Sequence, residues 1–243
     1  MVVPAPGEPQ LMRLVVSDRG HDLLGAVHAG ESWASAARRT VASLHADPVP
    51  VDLSSETLQF RIDHDNRVTV RAMTQGDLAD VTRWRQSEHV HRWWASDGDP
   101  TPEAVQAAYG PAVDGMTPTR MYVAEVNGRS IGFLQDYLIA DYPEFALLCP
   151  HPQAVGVDFA IGEIAWVGRG FGPRILWAWM ERARKRFPQA TSFFAAPDHR
   201  NRASLRMLAK VGFTEGLWFD EPKSDGTVDT VVGCTLDVST VLG

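Results

Sequence analysis

The stretch Val167-Gly168-Arg169-Gly170-Phe171-Gly172-Pro173-Arg174 decides the interpretation of this chain. Three glycines in five positions allow backbone N–H groups to turn inward without a Cβ atom in the way. Pro173 falls where we expect the first residue of a helix, a position that has no use for an N–H. A helix start attracts anions, and Arg169 and Arg174 add guanidinium groups. A Gly-x-Gly-x-Gly pattern alone leaves two interpretations open, a phosphate-binding turn or an ordinary strand-to-helix connection.

Composition limits the classes of protein that fit. The chain has 243 residues, and its 44% hydrophobic and 22% charged content is typical of a globular protein. The formal net charge of −7 argues against nucleic acid as a partner and is compatible with a cationic substrate. No signal peptide or apolar run of about 18 residues is found, and Cys149 and Cys234 have neither disulfide-framework nor zinc spacing. We therefore expect a cytoplasmic protein, monomeric or homodimeric, with no membrane partner.

Two parts are predicted along the chain, an N-terminal extension of unknown role over residues 1–66 and one domain over residues 67–243. The extension is proline-rich at its start and is predicted to contain a strand at 11–16 and a helix at 32–45. The domain shows the order β-α-α-β-β-β-α-β-α-β-β, with Asn127-Gly128 as a hairpin signal. This order predicts an α/β (α+β) fold with helices on both faces of a central mixed sheet.

The domain resembles the GNAT acyltransferase superfamily in the order of its elements. The order is a hairpin, a strand, a glycine turn that opens a helix, and a further strand and helix. The resemblance covers Val68 to Leu236. Within the superfamily the chain is most similar to aminoglycoside 6′-N-acetyltransferases, and next to siderophore lysine N-acyltransferases. It implies the GNAT fold with a mostly antiparallel sheet, acetyl-CoA as co-substrate and a small cationic amine as acceptor. The matching segments are His89–Trp94, Gly132–Tyr137, Gly156–Asp158, Ile161–Glu163, the glycine turn, Pro197–Asn201 and Lys210–Phe213.

The resemblance also implies how the coenzyme is held. The strand over 158–162 would splay from its neighbour, so that exposed backbone groups bind the pantetheine arm and polarise the thioester carbonyl. The turn at 168–172 would hold the pyrophosphate, and the side-chain amide of Asn201 would contact the coenzyme. The cofactor-binding residues implied in this way are Ala160, Ile161, Gly162, Val167, Gly168, Arg169, Gly170, Phe171, Gly172, Pro173, Arg174 and Asn201.

Asp158 is the candidate catalytic base. In the drug-modifying enzymes that the chain resembles, an aspartate at this position lies beside the amine to be acetylated. An amine near neutral pH is mostly ammonium, and a carboxylate can both anchor that cation and accept its proton. The alternative is a strand-end aspartate that faces water or pairs with an arginine. The surrounding motif favours catalysis, by direct transfer without a covalent acyl-enzyme.

Two tryptophans, Trp93 and Trp94, are predicted in the loop after the first helix of the domain. Indole rings suit a cationic or sugar-like substrate, although we expect at least one of the two to be structural. His89 and His91 form a His-x-His pattern, but no carboxylate or cysteine set completes a metal site, so no metal is expected. The predicted substrate-binding residues are Trp93, Trp94, Asp97, Gln135, Asp136, Tyr137 and Asp158; core packing or solvation is the alternative for each.

Three positions depart from the pattern that the resemblance implies. Val167 stands where the superfamily prefers Gln or Arg, and Leu208 where many members carry a tyrosine that protonates the leaving thiolate. Ala196 replaces an aspartate that precedes proline in many antibiotic modifiers, which keeps siderophore lysine acylation open as an alternative. Asp158 favours the aminoglycoside, because the siderophore group usually places histidine there. A CoA-binding module without turnover is the third alternative. The resemblance thus predicts a drug-resistance acetyltransferase for an aminoglycoside 6′-amine.

Overall fold

The computed structural model describes residues 10–16, 21–27, 58–61, 67–94, 98–149, 151–223 and 226–239. The chain divides into two compact units, Met1–Asp65 and Asn66–Gly243. In the first unit, three antiparallel strands form a sheet of order β2-β1-β3. They are β1 (Gln10–Val16), β2 (His21–Val27) and β3 (Leu58–Arg61). The predicted strand at 11–16 is confirmed within β1, and the predicted helix at 32–45 lies outside the described residues.

The second unit is built on a seven-stranded sheet of order β4-β5-β6-β7-β8-β10-β9. Every neighbouring pair is antiparallel except β7 and β8, which are parallel. The strands are β4 (Val68–Ala72), β5 (Arg120–Val126), β6 (Arg129–Leu138), β7 (Val155–Ile161), β8 (Ser192–Ala195), β9 (Thr214–Pro222) and β10 (Val228–Asp237). The helices are α1 (Leu78–Gln86), α2 (Glu88–His91), α3 (Pro102–Val113), α4 (Pro143–Leu148), α5 (Phe171–Arg186) and α6 (Arg202–Val211). The predicted fold class is confirmed.

Local sequence signals determine several element boundaries. Asn127 and Gly128 have φ values of 53° and 77°, as a two-residue turn between β5 and β6 requires. Asn201 caps α6, because its Oδ1 accepts a hydrogen bond from the N–H of Ser204 at 3.1 Å. Gly212 ends the same helix with a φ of 102°. Each of these signals can be recognised from a few neighbouring residues.

Helix α5 begins earlier than the sequence predicts. The sequence predicts Pro173 as the first helical residue, but the helix starts at Phe171 and Pro173 is its third residue. Proline is accepted there because the first N–H groups of a helix have no partner within the helix. Helix α4, between β6 and β7, is absent from the predicted order of elements.

Alternation along β6 separates the two faces of the sheet. Phe133 faces α1 and α3, where its ring lies 6.3 Å from that of Trp84 and 6.1 Å from that of Tyr109. Asp136 faces α5, and its Oδ2 accepts a hydrogen bond from Nε1 of Trp179 at 3.0 Å. Since alternate residues share a face, Gln135 lies on the side of Phe133. This alternation determines which polar side chains of β6 reach the site.

Candidate active site

A cleft of about 650 Å³ lies at the point where β7 and β8 separate. The two strands pair through Val155 with Phe193 and Gly156 with Phe194. The rest of β7, up to Ile161, continues in register with β6. The splay predicted for this strand is therefore confirmed. Beyond Gly156, the edge of β7 that faces β8 has no strand partner, and a gap opens in the sheet between these two strands.

The backbone groups on the open edge of β7 come from alternate residues. The N–H of Gly162 donates to the carbonyl of Ile131 at 2.8 Å, which fixes the alternation in this antiparallel pair. Gly162 and Ala160 therefore direct their backbone groups toward β6, whereas Ile161 and Phe159 direct theirs into the gap. The prediction of backbone contacts from Ala160 and Gly162 is corrected in this respect, and Phe159 is a residue that sequence reasoning missed.

His89 approaches the same edge from α2. Its Nε2 lies 3.0 Å from the carbonyl oxygen of Ile161. Because a carbonyl only accepts hydrogen bonds, Nε2 is the protonated nitrogen. A coenzyme amide that binds the carbonyl of Ile161 has to share or replace this contact, while the backbone of Phe159 keeps its outward direction.

The glycine turn forms the next part of the cleft wall. Gly168 and Gly170 have φ values of 72° and 83°, in the left-handed region that favours glycine. Gly170 is the N-cap of α5, and none of the described side chains caps this helix start. Gly172 is needed for close packing instead, because a Cβ atom there would lie 3.1 Å from Cγ of Met207 on α6. The uncapped N–H groups of α5 thus lie at the cleft, where an anion can bind them.

The two arginines of the turn lie beside the cleft. The guanidinium of Arg169 covers the ring of Trp166 at 5.4 Å and donates to the carbonyl of Ala165. Arg174 lies over the ring of Phe171 at 5.5 Å, and Phe171 is buried. The described residues that line the cleft include Val167, Gly168, Gly170, Gly172, Pro173 and Asn201. Arg169, Phe171 and Arg174 are absent from that lining, so their contribution to phosphate binding remains a prediction.

Asp158 lies in the cleft on the face of the sheet that carries Gln135. Its Oδ2 accepts a hydrogen bond from Nε2 of Gln135 at 2.8 Å, and its carboxylate also accepts one from the hydroxyl of Tyr137. Burial raises the pKa of Asp158, the negative charge of Glu221 raises it further, and the Gln135 hydrogen bond opposes the rise. A carboxyl group with a raised pKa is a better proton acceptor from an ammonium group than an ordinary aspartate.

The position of Tyr137 depends on a glycine. A Cβ atom on Gly156 would lie 2.6 Å from the ring of Tyr137, so the ring lies directly on the glycine. Its other neighbours are Tyr142 and Phe145, with ring centroids at 5.3 and 6.4 Å. Burial and the charge of Asp158 raise the pKa of Tyr137 well above its usual value, so the hydroxyl stays protonated and donates.

The two tryptophans differ in their surroundings, and both line the cleft. Trp94 packs on the hydrophobic core at 5.8 Å from the ring of Phe133, which confirms that at least one tryptophan is structural. Trp93 carries the guanidinium of Arg92 over its ring at 5.5 Å. One face of Trp93 is therefore already engaged by a cation of the protein.

The prediction that Asp136 binds substrate is wrong. Its side chain is fully buried on the α5 face, where Trp179 donates to one oxygen and Nε of Arg186 lies 3.9 Å from the other. Neighbouring residues of a strand point to opposite faces, so Gln135 and Asp136 cannot both reach the cleft. Asp97 lies outside the described residues. Of the predicted substrate-binding set, the cleft brings together Trp93, Trp94, Gln135, Tyr137 and Asp158.

Residues from the last hairpin complete the acceptor end of the cleft, and sequence reasoning missed them. Glu221 and Lys223 at the end of β9, and Asp229 on β10, line the cleft together with Phe145 of α4. Glu221 and Asp229 are partners in the β9–β10 register. The spacing of Phe219, Glu221 and Lys223 predicts that they share one face of a strand. Nothing local in the sequence, however, directs that face toward Asp158.

Comparison with known proteins assigns the family. A model described as an acetyltransferase (GNAT) domain matches residues 73–220, more than half of the chain. The chain belongs to the GNAT acetyltransferase family. The aminoglycoside N(6′)-acetyltransferase type 1 of Klebsiella pneumoniae is 28% identical over 151 residues, which are 61% of this chain and 75% of that protein.

Two solved structures of GNAT-like fold are also informative. The aminoglycoside acetyltransferase AAC(6′)-Ib, solved with coenzyme A and kanamycin, has a TM-score of 0.60 and 26% identity, covering 72% of this chain and 96% of that one. The spermidine N-acetyltransferase of Vibrio cholerae, solved with CoA and spermine, shares the fold at a TM-score of 0.57 and 16% identity. It covers 72% of this chain and 98% of its own.

Membership of the GNAT family establishes the type of reaction. The chain is an N-acetyltransferase with acetyl-CoA as acyl donor, as its sequence predicts. The alternative of a CoA-binding module without turnover is therefore not favoured. Within the described part of the chain, no helix combines the length and apolar character that a membrane span requires.

Proposed function

We propose that this GNAT acetyltransferase transfers an acetyl group from acetyl-CoA to a primary amine of an aminoglycoside, at the 6′ position. The observation that carries the proposal is the Asp158 carboxylate, which lies in the cleft beside the open edge of β7. The curated relative with this activity, and the structural neighbour that binds kanamycin, support the choice of acceptor class.

The open edge of β7 is the place proposed for the thioester. Backbone N–H groups directed into the gap at Phe159 and Ile161 suit a carbonyl oxygen on which negative charge develops during attack. The turn at 168–172 and the uncapped start of α5 would hold the pyrophosphate. Acetyl-CoA supplies the activated acyl group, and the chain supplies orientation and carbonyl polarisation. Both are effective because the donors are fixed by the sheet before the substrate arrives.

Asp158 is proposed to anchor the acceptor ammonium and to take its proton. The attacking amine needs a lone pair, so one proton has to leave before the new C–N bond forms. The raised pKa of Asp158 makes its carboxylate a stronger acceptor for this proton than an ordinary aspartate. The hydrogen bond from Gln135 keeps the carboxylate oriented across the strand pair. Trp93 and Tyr137 are proposed to pack on the body of the acceptor.

Position 208, where a tyrosine could protonate the leaving thiolate, is occupied by Leu208, which is buried in the cleft wall. A thiolate is a tolerable leaving group without prior protonation, so the reaction type does not depend on that residue. Lysine-derived acceptors remain the second candidate, because Ala196 lines the cleft where many antibiotic modifiers carry a carboxylate.

A coupled assay of CoA release tests the proposal with kanamycin, tobramycin and a panel of lysine analogues. Acetylation of the aminoglycosides at the 6′ amine, with a kcat/KM well above that for the lysine analogues, is the expected result. Turnover on lysine analogues without turnover on any aminoglycoside would overturn the acceptor assignment while leaving the acetyltransferase reaction intact.

A further inference from the structure

Lys223 places a primary ammonium group at the acceptor end of the cleft. Its Nζ lies 2.5 Å from Oε2 of Glu221 and 3.8 Å from Oδ2 of Asp229. The three side chains are 22–29% exposed, so the ion pairs are only partly screened by solvent. One ammonium group therefore lies within 4 Å of two carboxylates that face each other across the β9–β10 hairpin.

This ion pair and the catalytic carboxylate influence each other. The charge of Glu221 raises the pKa of Asp158, and the charge of Lys223 lowers it. The charges of Asp158 and Glu221 both raise the pKa of Tyr137. The same end of the cleft thus holds two neighbouring carboxylates, Asp158 and Glu221, and a resident cation that neutralises one of them.

An acceptor with several ammonium groups changes this balance. Its reacting amine approaches Asp158, and a second cation reaches the neighbourhood of Glu221, where Lys223 already lies. Two cations on one carboxylate repel each other. Asp229 offers a second partner to Lys223, because its Oδ2 is already within 3.8 Å of Nζ. Its other oxygen, Oδ1, lies 3.7 Å from Nη2 of Arg200, whose main partner is Asp198 at 2.6 Å. A short movement of the lysine head group therefore conserves the number of ion pairs.

We propose that Lys223 is an exchangeable counter-ion of Glu221, and that Glu221 binds a second ammonium group of the acceptor. A second ammonium group of the acceptor takes the place of Lys223 on Glu221, and Nζ moves to Asp229. Glu221 then binds substrate, and Lys223 competes with the second ammonium group of the acceptor for this carboxylate. This inference rests on the proposed function, because it requires an acceptor with at least two ammonium groups.

The test measures the KM for kanamycin at saturating acetyl-CoA in four variants. Glu221→Gln is expected to raise this KM about tenfold, the order of one charge-assisted hydrogen bond. Lys223→Met is expected to lower it up to about fivefold, since the competing cation is gone. Glu215→Gln, on an exposed position of the same strand, is the matched control and leaves KM unchanged. Thermal unfolding and the KM for acetyl-CoA show whether each variant is folded.

The double variant E221Q/K223M separates exchange from a fixed ion pair. If the acceptor contacts Glu221, the double variant keeps the raised KM of Glu221→Gln. If Lys223 and Glu221 stay paired and never meet the acceptor, removing both charges returns KM to the wild-type value, and the inference is overturned. A wild-type enzyme that turns over no aminoglycoside would instead overturn the proposed function, and this inference with it.

Discussion

Replacing Asp158 by asparagine is expected to remove activity while preserving or increasing stability. Asparagine has the shape of aspartate, and its Oδ1 can still accept the hydrogen bond that Gln135 makes at 2.8 Å. It cannot take a proton from the acceptor ammonium. Loss of a positioned general base lowers rates by about 10²–10⁴-fold, so we expect kcat/KM for an aminoglycoside to fall by that order.

The stability effect follows from the direction of the pKa shift. Folding raises the pKa of Asp158, so the folded protein holds the proton at pH values where the unfolded chain has released it. The free energy of unfolding therefore falls as pH rises from the unfolded pKa through the folded one, and above that window the ionised carboxylate remains destabilising. Asp158→Asn abolishes this loss, and each pKa unit of the shift is worth about 1.4 kcal/mol.

Two measurements on the same samples check the reasoning about Asp158. Thiol release gives kcat/KM, and thermal unfolding at pH 5 and pH 8 gives the stability difference. Asp141→Asn, at an exposed carboxylate, is the control that changes neither quantity. Undiminished turnover of Asp158→Asn would remove Asp158 from the mechanism. A lower unfolding temperature of this variant at pH 8 would show that the ionised carboxylate stabilises the fold.

Three further perturbations test other parts of the site. Tyr137→Phe removes a hydrogen bond that lowers the pKa of Asp158, so the acidic limb of the kcat/KM profile should move to higher pH; an unmoved limb in a folded variant would contradict the contact. Gly156→Ala places a Cβ atom 2.6 Å from the ring of Tyr137, so it should cost about 1–3 kcal/mol of stability and lower kcat. A variant with wild-type stability and wild-type kcat would refute the contact between Gly156 and this ring. Gly170→Ala places a side chain on a residue with a φ of 83° and should cost about 1–2 kcal/mol of stability. It should also raise the KM for acetyl-CoA without changing the KM for the acceptor. A change confined to the acceptor KM would argue against the turn as the phosphate site.

The parts of the fold that could be predicted are those encoded locally. The Asn127-Gly128 hairpin, the Asn201 cap and the glycine turn each depend on a few neighbouring residues whose backbone geometry is restricted. The start of α5 was predicted too late, because the rule that puts proline at the first helical position is a preference within the whole first turn.

The site was predictable where one strand carried it and not where distant elements meet. Alternation along β6 was sufficient to exclude Asp136 once Gln135 was assigned to the cleft, and that prediction failed because two neighbours were given the same face. Glu221 and Lys223 could not be placed, since their proximity to Asp158 depends on the order of β8, β10 and β9 in the sheet. Their charges, however, affect the pKa of the catalytic carboxylate directly.

The most direct test of the central claim is to incubate the enzyme with acetyl-CoA and kanamycin and to identify the product by mass spectrometry and NMR. The expected product carries one acetyl group, on the 6′ nitrogen; the wild type forms it and Asp158→Asn does not. Acetylation at another amine, or product from lysine analogues alone, would contradict the claim.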